Sequence, residues 1–265
     1  MNERWRFQIG RLTAGLPPAR GLLPLLLALA LWQAFGPRHS PYAPPPSAWW
    51  DSVRTMLQNG KLMPALASTL VTFALAMVIA TIVGGALGLL IGRSRTARRA
   101  LGPLLEFCRG LPPPVIVPVA VLLLGYAESL KLLVVAWVAI WPILLNTASA
   151  ASLLDELMLD IARTFRLDRL TTLRKIILPA VVPDFLLGLR VAVPLGIIIT
   201  LLVEMLTSLP GIGSLIVISQ RQFRSADVYG LLVVVGLMGF VINSLFAMAE
   251  QLLLRRWPPR AQEMR

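Results

Sequence analysis

Six long apolar stretches constrain the fold of this 265-residue chain more than any other feature of its sequence. About 20 apolar residues make a helix that crosses a bilayer, because hydrocarbon offers backbone N–H and C=O groups no partners except each other. With 57% hydrophobic residues, the chain carries more apolar surface than a soluble domain of this length can bury. We therefore predict an all-α, polytopic membrane protein with about six transmembrane helices. The stretches are residues 21–35, 66–91, 112–125, 131–151, 181–206 and 228–254.

The basic residues indicate how these helices are oriented. Of the 25 Lys and Arg residues, 18 fall on one side of the predicted membrane, 6 on the other side and one, Arg190, within a span. Cytosolic loops carry the excess of positive charge in membrane proteins, so we expect both termini in the cytosol. The net charge of +12 thus reflects orientation, and nucleic-acid binding is not expected. The predicted organisation is a cytosolic segment 1–20, a transmembrane domain 21–254 and a cytosolic tail 255–265.

The first apolar stretch has an alternative interpretation as a secretory signal peptide, because four arginines precede it. No small-residue cleavage site follows it cleanly, and its removal would leave an odd number of spans. We therefore interpret it as a retained helix. A proline-rich run, PRHSPYAPPPSAWW, comes next, and there Ser47 is expected to cap a short helix that lies along the outer surface.

A polar segment, residues 155–179, separates the fourth and fifth apolar stretches. Its charges cannot rest in lipid, yet its apolar residues recur at helical spacing on either side of a break near Arg166. Asp168 is positioned to cap the second of two short amphipathic helices. Such a pair in a cytosolic loop (152–180) suits docking of a soluble partner, although a loop that lies on the membrane surface has the same pattern. The apolar residues are Leu157, Ile161, Phe165, Leu170, Leu173, Ile176 and Ile177.

The sequence lacks the residue sets that enzyme chemistry requires. It contains no G-x-x-x-x-G-K-[ST] phosphate-binding loop, so we expect no nucleotide hydrolysis by this chain. His39 and Cys108 are its only histidine and cysteine. They cannot supply a metal site, a Ser/His/Asp triad or an intrachain disulfide. We predict no catalytic residue, no metal site and no cofactor bound by this chain.

Polar residues within the apolar stretches are candidates for a substrate pathway, because ionisable groups in a bilayer usually face protein or water. Arg190 suits an anion, since a guanidinium binds oxyanions through paired donors. Snorkelling to the interface or pairing with a carboxylate is the alternative. Glu204 would repel an anion and suits gating or an internal ion pair. Asn146 offers a neutral polar contact to a substrate or to a neighbouring helix.

Arg109 begins a proline-rich run, RGLPPPVIVP, that cannot start as a regular helix. Irregular backbone at membrane depth is tolerated only where protein buries it or water reaches it. Residues 109–118 are therefore expected near the protein interior, at the lower end of a pathway. A cytosolic elbow outside the membrane is the alternative.

Small residues recur every four positions in the second apolar stretch, which lets another helix approach closely. This pattern fits packing within the chain and also fits a seam between two copies. The residues are Ala80, Gly84, Gly88 and Gly92.

The polar segment resembles the cytosolic signature loop of ABC importer permeases, which reads roughly E-x-A-x-x-x-G and, after a spacer, I-x-L-P. Asp160-Ile161-Ala162-Arg163 and Ile177-Leu178-Pro179 carry this resemblance. Further motifs occur in family order between residues 61 and 257, and they narrow the resemblance to the nitrate/sulfonate/taurine branch. They are RGLP at 109–112, GYAESLK at 125–131, WPILLNT at 141–147, GLR at 188–190 and GIG at 211–213.

Two positions depart from the family pattern. The usual glutamate is Asp160, and Arg166 stands where the family has a glycine at the turn between the two short helices. Because glycine reaches positive φ easily, an arginine must adopt a costlier backbone or shift the turn. Its long cation could instead contact the partner. By resemblance, the residues that couple to the ATPase are Asp155, Asp160, Ile161, Ala162, Arg163, Arg166, Asp168, Leu178 and Pro179.

The resemblance implies a type I ABC importer permease-like fold in the bacterial cytoplasmic (inner) membrane. Two permease copies, expected as a homodimer in membrane lipid, form the pathway. Cytosolic ABC ATPase subunits bind ATP-Mg and receive the loop, and an extracytoplasmic solute-binding protein delivers the substrate. The implied substrate is a small anion such as an aliphatic sulfonate, taurine or nitrate. The alternatives are a vitamin precursor such as a pyrimidine, and a non-transporting scaffold that anchors an ATPase.

Overall fold

The computed structural model describes residues 22–36, 42–154, 158, 160, 162 and 164–256. Across this part of the chain the structure is helical and contains no strand, which confirms the predicted all-α class. A π-helical turn, Leu173–Ile177, joins the helix that ends at Thr172 to the helix that begins at Leu178. The helices are α1 (Leu22–Phe35), α2 (Pro46–Gln58), α3 (Leu62–Arg93), α4 (Arg95–Gly110), α5 (Pro113–Leu124), α6 (Glu128–Ser152), α7 (Arg169–Thr172), α8 (Leu178–Thr207), α9 (Ile212–Arg221) and α10 (Ser225–Arg256).

Four helices of the described chain are long and apolar enough to cross a membrane. They are α3, α6, the continuous helix through α7 and α8, and α10. The pair α4 and α5 meets at 94° and gives a fifth crossing when it is taken as one broken span. Together with α1, which is a shorter apolar helix, these elements correspond to the six predicted stretches.

Three glycines of α3 lie so close to carbonyl oxygens of α6 that an added Cβ would have no room. The distance from the added Cβ to the carbonyl oxygen would be 3.0 Å for Gly84 and Ile140, 2.6 Å for Gly88 and Leu144, and 2.4 Å for Gly92 and Ala148. Both residue numbers rise in steps of four, so α3 and α6 run parallel and touch along one face. The chain between two parallel helices must cross back once, and α4 with α5 supplies that crossing.

The second neighbour of α6, α8, runs antiparallel to it. Gly188 in the first half of α8 faces the carbonyl of Pro142, where an added Cβ would lie 2.7 Å from the oxygen. Glu204 near the end of α8 lies 4.0 Å from Lys131 near the start of α6. The fold core is therefore α6 packed between α3 and α8. Following the charge bias, we call the end at which α3 and α6 begin the outer end.

The bend between α4 and α5 is where the prolines impose irregular backbone. Leu111 and Pro112 are extended, with ψ of 120° and 131°, because each precedes a proline that disfavours helical ψ. Pro113 then opens α5, since the first helical position needs no N–H. α5 has 12 residues, so it is about 18 Å long and cannot by itself span about 30 Å of hydrocarbon. The predicted irregularity is thus confined to two residues, which we call the elbow.

α2 begins differently from the expectation. Pro45 is its N-cap and Pro46 its first residue, so Ser47 is not the cap. Ser47 instead bonds α1: its N–H donates to Oε1 of Gln33 at 3.0 Å, and its Oγ accepts from Nε2 at 3.2 Å. A proline at the first position had already removed one of the N–H groups that a cap would satisfy.

Candidate functional site

The predicted docking segment contains a sharp turn at Arg166. The residue has φ of 51°, in the left-handed region, and the N–H of Leu167 donates to the carbonyl of Ala162 at 2.9 Å. Positive φ with this six-to-one hydrogen bond is the Schellman ending of a helix, which glycine usually fills. The turn therefore stays at this position and the arginine adopts the costlier backbone. Three of the predicted coupling residues, Asp155, Ile161 and Arg163, lie outside the described residues.

Asp168 caps the next helix, as predicted. Its carboxylate accepts the N–H of Thr171 at 3.2 Å. Hydrogen bonds from the side chain and the backbone of Thr171 hold the pKa of the Asp168 carboxyl below its ordinary value. The carboxylate is therefore ionised at neutral pH, and it complements the positive end of the helix dipole.

The helix that Asp168 caps is longer than expected. The N–H of Leu178 donates to the carbonyl of Leu173, five residues back, which closes the π-helical turn. Pro179 accounts for this wider turn, because proline has no N–H and its ring crowds the carbonyl four residues earlier. The helix then continues to Thr207, so α7, the π-helical turn and α8 form one helix of 39 residues. The expectation of a separate second short helix is wrong.

The outward side of this segment carries apolar side chains. Phe165 is 73% exposed and Leu170 is 52% exposed, and Leu167 lies exposed between them. We call these three residues the coupling patch. Four cations near these residues in the sequence are exposed as well, namely Arg166, Arg169, Arg174 and Lys175. The opposite side is held against the ends of α3 and α6 by a buried cluster that includes Leu154, Ile177 and Val181. An exposed apolar patch with a polar rim is typical of a protein-docking surface.

A cavity of about 470 Å³ lies between the elbow, α6 and α8, and we call it the elbow cavity. Two of the four predicted pathway residues, Arg109 and Asn146, line it. Arg109 is about half exposed and pairs with Glu106 at 2.6 Å. Asn146 donates through Nδ2 to the carbonyl of Pro142 at 2.8 Å. The other walls include Trp137, Trp141, Val191 and Leu195.

Arg190 lies elsewhere, on an exposed face of α8 with Leu187, Val191 and Ile198. Among the residues described, it forms no ion pair, and it does not line the elbow cavity. A guanidinium on an otherwise apolar face near the middle of a membrane helix is costly against lipid. This face therefore suits contact with water or with another protein surface.

Glu204 is fully buried and lies in a polar cluster at the outer end of the core. Its carboxylate accepts from Oγ1 of Thr69 at 2.9 Å and from the N–H of Gly213 at 2.9 Å. The same Thr69 oxygen accepts the N–H of Ile212 at 3.0 Å. The cluster therefore ties the start of α9 to α3 and α8, and this arrangement agrees with the internal ion-pair alternative for Glu204.

Lys131 completes this cluster. It is fully buried, 4.0 Å from Glu204 and 2.6 Å from Glu128. Its Nζ also donates to Oγ of Ser68 at 3.0 Å and to the carbonyl of Pro210 at 2.7 Å. Lys131 is one of the six basic residues that the sequence placed on the outer side, and the structure places it at the outer end, fully buried within α6. The spacing of Glu128 and Lys131, three residues apart at a helix start, was the signal in the sequence for a local pair.

Two glycines make this corner possible. Gly211 has φ of 157°, and an added Cβ there would overlap the Glu204 carboxyl group. At Gly213 an added Cβ would lie 2.4 Å from the carbonyl oxygen of Leu201. The GIG motif thus provides close packing of α9 on α8.

Several known proteins are similar in sequence to this chain over most of its length. Residues 84–257 match the family described as the inner membrane component of binding-protein-dependent transport systems. The bicarbonate transport system permease protein CmpB of Synechococcus elongatus is 27% identical over 96% of this chain and 93% of that protein. The nitrate import permease protein NrtB of Leptolyngbya laminosa is 33% identical over 74% of this chain and 72% of that protein.

A third relative and a solved structure extend this similarity. A Bacillus subtilis protein named as an aliphatic sulfonates transport permease, SsuC, is 25% identical over 89% of this chain and 87% of that protein. The crystal structure of an amino acid ABC transporter with histidines superposes with a TM-score of 0.59 at 16% identity, over 78% of this chain and 98% of that chain. The structural match supports the fold alone.

Proposed function

Because the chain belongs to the family of inner membrane components of binding-protein-dependent transport systems, we propose that it is the permease subunit of an ABC importer for a small monovalent oxyanion. The observation that carries this proposal is the set of relatives that cover most of the chain. Their names specify bicarbonate, nitrate and aliphatic sulfonates. The resemblance found in the sequence, including the nitrate and sulfonate branch, is confirmed, and bicarbonate is an anion that the sequence did not suggest.

The three named substrates share a chemistry that this chain is equipped to bind. Each carries one negative charge spread over several oxygen atoms, and each can accept more than one hydrogen bond. Guanidinium groups suit such ions because they offer paired donors. Arg190 on the exposed face of α8 and Arg109 at the elbow cavity are the cations that we assign to the pathway.

The same proposal includes the partners. Cytosolic ATPase subunits, which hold ATP-Mg, bind the coupling patch, and an extracytoplasmic solute-binding protein delivers the anion at the outer end. A second copy of this chain completes the pathway, with Arg190 facing it across water. Both termini lie in the cytosol, and the domain organisation is 1–20, 21–254 and 255–265, with the coupling loop at 152–180.

Reconstitution tests this function. The chain is placed in liposomes with a cognate ABC ATPase, and a cognate solute-binding protein is added outside. We expect uptake of at least one of labelled bicarbonate, nitrate or ethanesulfonate, together with ATP hydrolysis that rises when the anion and the binding protein are present. Uptake of a pyrimidine in place of these anions would identify a vitamin-precursor permease. ATP hydrolysis that no solute stimulates would identify a scaffold.

A further inference from the structure

We propose that α4 lies along the cytosolic surface of the membrane and binds anionic phospholipids there, with its apolar side in the acyl chains and its arginines on the phosphate groups. The cytosolic side is the one that the charge bias of the chain indicates. The proposed function uses only Arg109, at the far end of this helix, and the inference does not depend on which anion is transported. It adds a lipid of stated charge to the partners of the chain.

The charged residues of α4 all lie on one side of the helix. At about 100° per residue, they fall within a sector of about 100°. In angular order they are Arg98, Arg109, Arg95, Glu106 and Arg99. The remaining side carries no charged residue, and Leu104 lies near its centre. A helix with one basic side and one apolar side is typical of a helix that lies in a membrane surface.

The apolar side of α4 is not covered by the part of the chain that the structure describes. Leu104 is 55% exposed and Phe107 is 66% exposed, and Leu101 is exposed beside them. None of the 16 residues of α4 is buried. Contact of such a face with water is unfavourable, so an apolar medium is expected to cover it. The acyl chains of the bilayer are that medium where the helix lies at the membrane surface.

The neighbouring helices bring α4 to the level of the lipid headgroups. α3 has 32 residues and is therefore about 48 Å long. A bilayer with its headgroups is about 40–45 Å thick, so α3 crosses all of it. α4 begins at Arg95, two residues after α3 ends at Arg93. It meets α5 at 94°, and α5 returns toward the outer end. α4 therefore lies along the membrane surface, where α3 leaves the hydrocarbon.

The first half of α4 carries the charge that selects an anionic lipid. Residues 93–105 contain four arginines and no carboxylate. Arg93 and Arg99 are exposed and Arg98 is half-exposed, and none of these three forms an ion pair within the described chain. Basic clusters on an amphipathic helix attract the negatively charged lipids of the cytosolic leaflet. A zwitterionic lipid would cover the apolar side equally well, but it offers these arginines no net charge.

The position of α4 is measured by spin labelling of the full chain in nanodiscs of phosphatidylcholine with phosphatidylglycerol. Cys108 is the only cysteine, so Cys108→Ser gives a background without cysteine. Leu104→Cys then places a nitroxide at the centre of the apolar side. Gly102→Cys is the matched control on the charged side, because nothing lies within 4 Å of a Cβ built there. We expect oxygen to reach the label at 104 while a water-soluble nickel reagent does not, and the nickel reagent to reach the label at 102.

Two other accessibility patterns would overturn the membrane-surface position. A label at 104 that neither reagent reaches would show that a protein surface covers the apolar side. That surface is the ATPase where the protection requires added ATPase, and a second copy of the chain where it does not. A label at 104 that the nickel reagent reaches would place this side in water.

The preference for anionic lipid is measured by native mass spectrometry of the full chain in detergent, titrated with phosphatidylglycerol or phosphatidylcholine of the same acyl chains. We expect phosphatidylglycerol to bind at least tenfold more tightly. Each arginine near a charged lipid surface contributes about fivefold, so Arg98→Gln with Arg99→Gln should weaken this binding about 25-fold. Binding of phosphatidylcholine should stay within twofold of the wild type.

Arg174→Gln with Lys175→Gln is the matched control, because it removes the same charge at exposed residues outside α4. It should keep phosphatidylglycerol binding within twofold of the wild type. All variants are compared as monodisperse protein, and where the double variant of α4 fails this check, Arg99→Gln alone decides with an expected fivefold loss. Equal affinity for the two lipids, or undiminished binding by the α4 variant, would overturn the lipid site. Neither result bears on the proposed function, which the uptake experiment tests separately.

Discussion

At the scale of single residues, the chain departs most from ordinary helix chemistry at Arg166. A left-handed backbone costs a residue with a Cβ about 1 kcal/mol, yet the turn keeps φ of 51°. The hydrogen bond from Leu167 to Ala162 holds the turn in place. The free energy of this turn is thus higher than it would be with the glycine of the family pattern. A substitution at Arg166 can therefore test the contribution of the cationic side chain separately from the strain of the backbone.

Replacing Arg166 by glycine should stabilise the turn of the isolated chain. Removing the left-handed strain is worth about 1 kcal/mol, which corresponds to roughly fivefold slower hydrogen exchange at the Leu167 amide. Mass-spectrometric hydrogen exchange over residues 164–170 measures this change. Arg174→Gly is the control, because it makes the same substitution at an exposed position of the π-helical turn. There we expect faster exchange, since glycine weakens a helix interior.

ATPase affinity then separates the two interpretations of Arg166. If its cation contacts the partner, Arg166→Gly should stabilise the turn and still weaken ATPase binding. Unchanged exchange at Leu167 would contradict the strain argument.

Arg190 carries the second prediction at this scale. Arg190→Ala should reduce anion uptake at least tenfold in the reconstituted complex, because a charged donor to the anion is lost. Leu187→Ala shortens a neighbour on the same exposed face and should leave uptake within twofold of the wild type. Both variants are compared at equal recovery of the ATPase. Normal uptake by a well-assembled Arg190→Ala complex would exclude Arg190 from the pathway.

At the scale of elements, the seam between α3 and α6 depends on residues that have no side chain. An added Cβ at Gly88 would lie 2.6 Å from the carbonyl oxygen of Leu144 and 2.7 Å from the Cβ of Thr147. Neither the backbone nor a β-branched residue can yield there without separating the helices. Ala80, also on this face, is fully buried. The seam lies within one chain, so α6 already packs against these small residues.

Gly88→Leu should therefore destabilise the fold, by about 1–3 kcal/mol if it behaves as an overpacked core. Thermal unfolding in detergent, followed by loss of monodisperse protein, measures this effect. Gly239→Leu is the matched control, because nothing lies within 4 Å of a Cβ built at this glycine of α10. There leucine should be neutral or slightly stabilising, since it is the better helix former. Equal melting temperatures for the two variants would contradict the seam.

Elements could be predicted from the sequence to the extent that local rules decide them. The apolar stretches marked the helices, and the positions of Asp168 and Arg166 marked the cap and the turn. The prolines of residues 109–118 indicated irregular backbone, but its confinement to Leu111 and Pro112 could not be predicted. The burial of Lys131 could not be predicted, because it depends on Glu204, 73 positions later in the chain. Such a partner becomes visible only when α6 and α8 pack.

At the scale of the whole molecule, the coupling patch is the surface that we propose binds the ATPase. Phe165→Asp places a charge at its most exposed apolar side chain and should lower ATPase co-purification about tenfold or more, because it puts an ion in an apolar interface. Thr164→Asp is the control, since it adds the same charge at an exposed neighbour outside the patch. Ala162 is a poorer probe than the sequence suggested, because it is buried in its own chain and a larger residue would distort the turn. Undiminished recovery of the ATPase with Phe165→Asp would contradict docking at the patch.

The residues that line the elbow cavity could be predicted only in part from the sequence. Arg109 and Asn146 were selected for their polarity, and the fold brings both to one cavity. Trp137 was not selected, because an indole in an apolar stretch ordinarily packs as a hydrophobic residue. Among the described residues its Nε1 has no hydrogen-bond partner, which becomes visible only after the neighbouring helices have been positioned.

The unbroken helix from α7 to α8 has a mechanical consequence for this molecule. It contains 39 residues and so measures about 58 Å, from the capped turn at Asp168 to the Glu204 corner. If this helix pivots at its midpoint by about 5° as a rigid body, each end moves about 2.5 Å, in opposite directions. A displacement of the turn at Asp168 would thus be accompanied by an opposite displacement of the Glu204 corner at the other end of the helix.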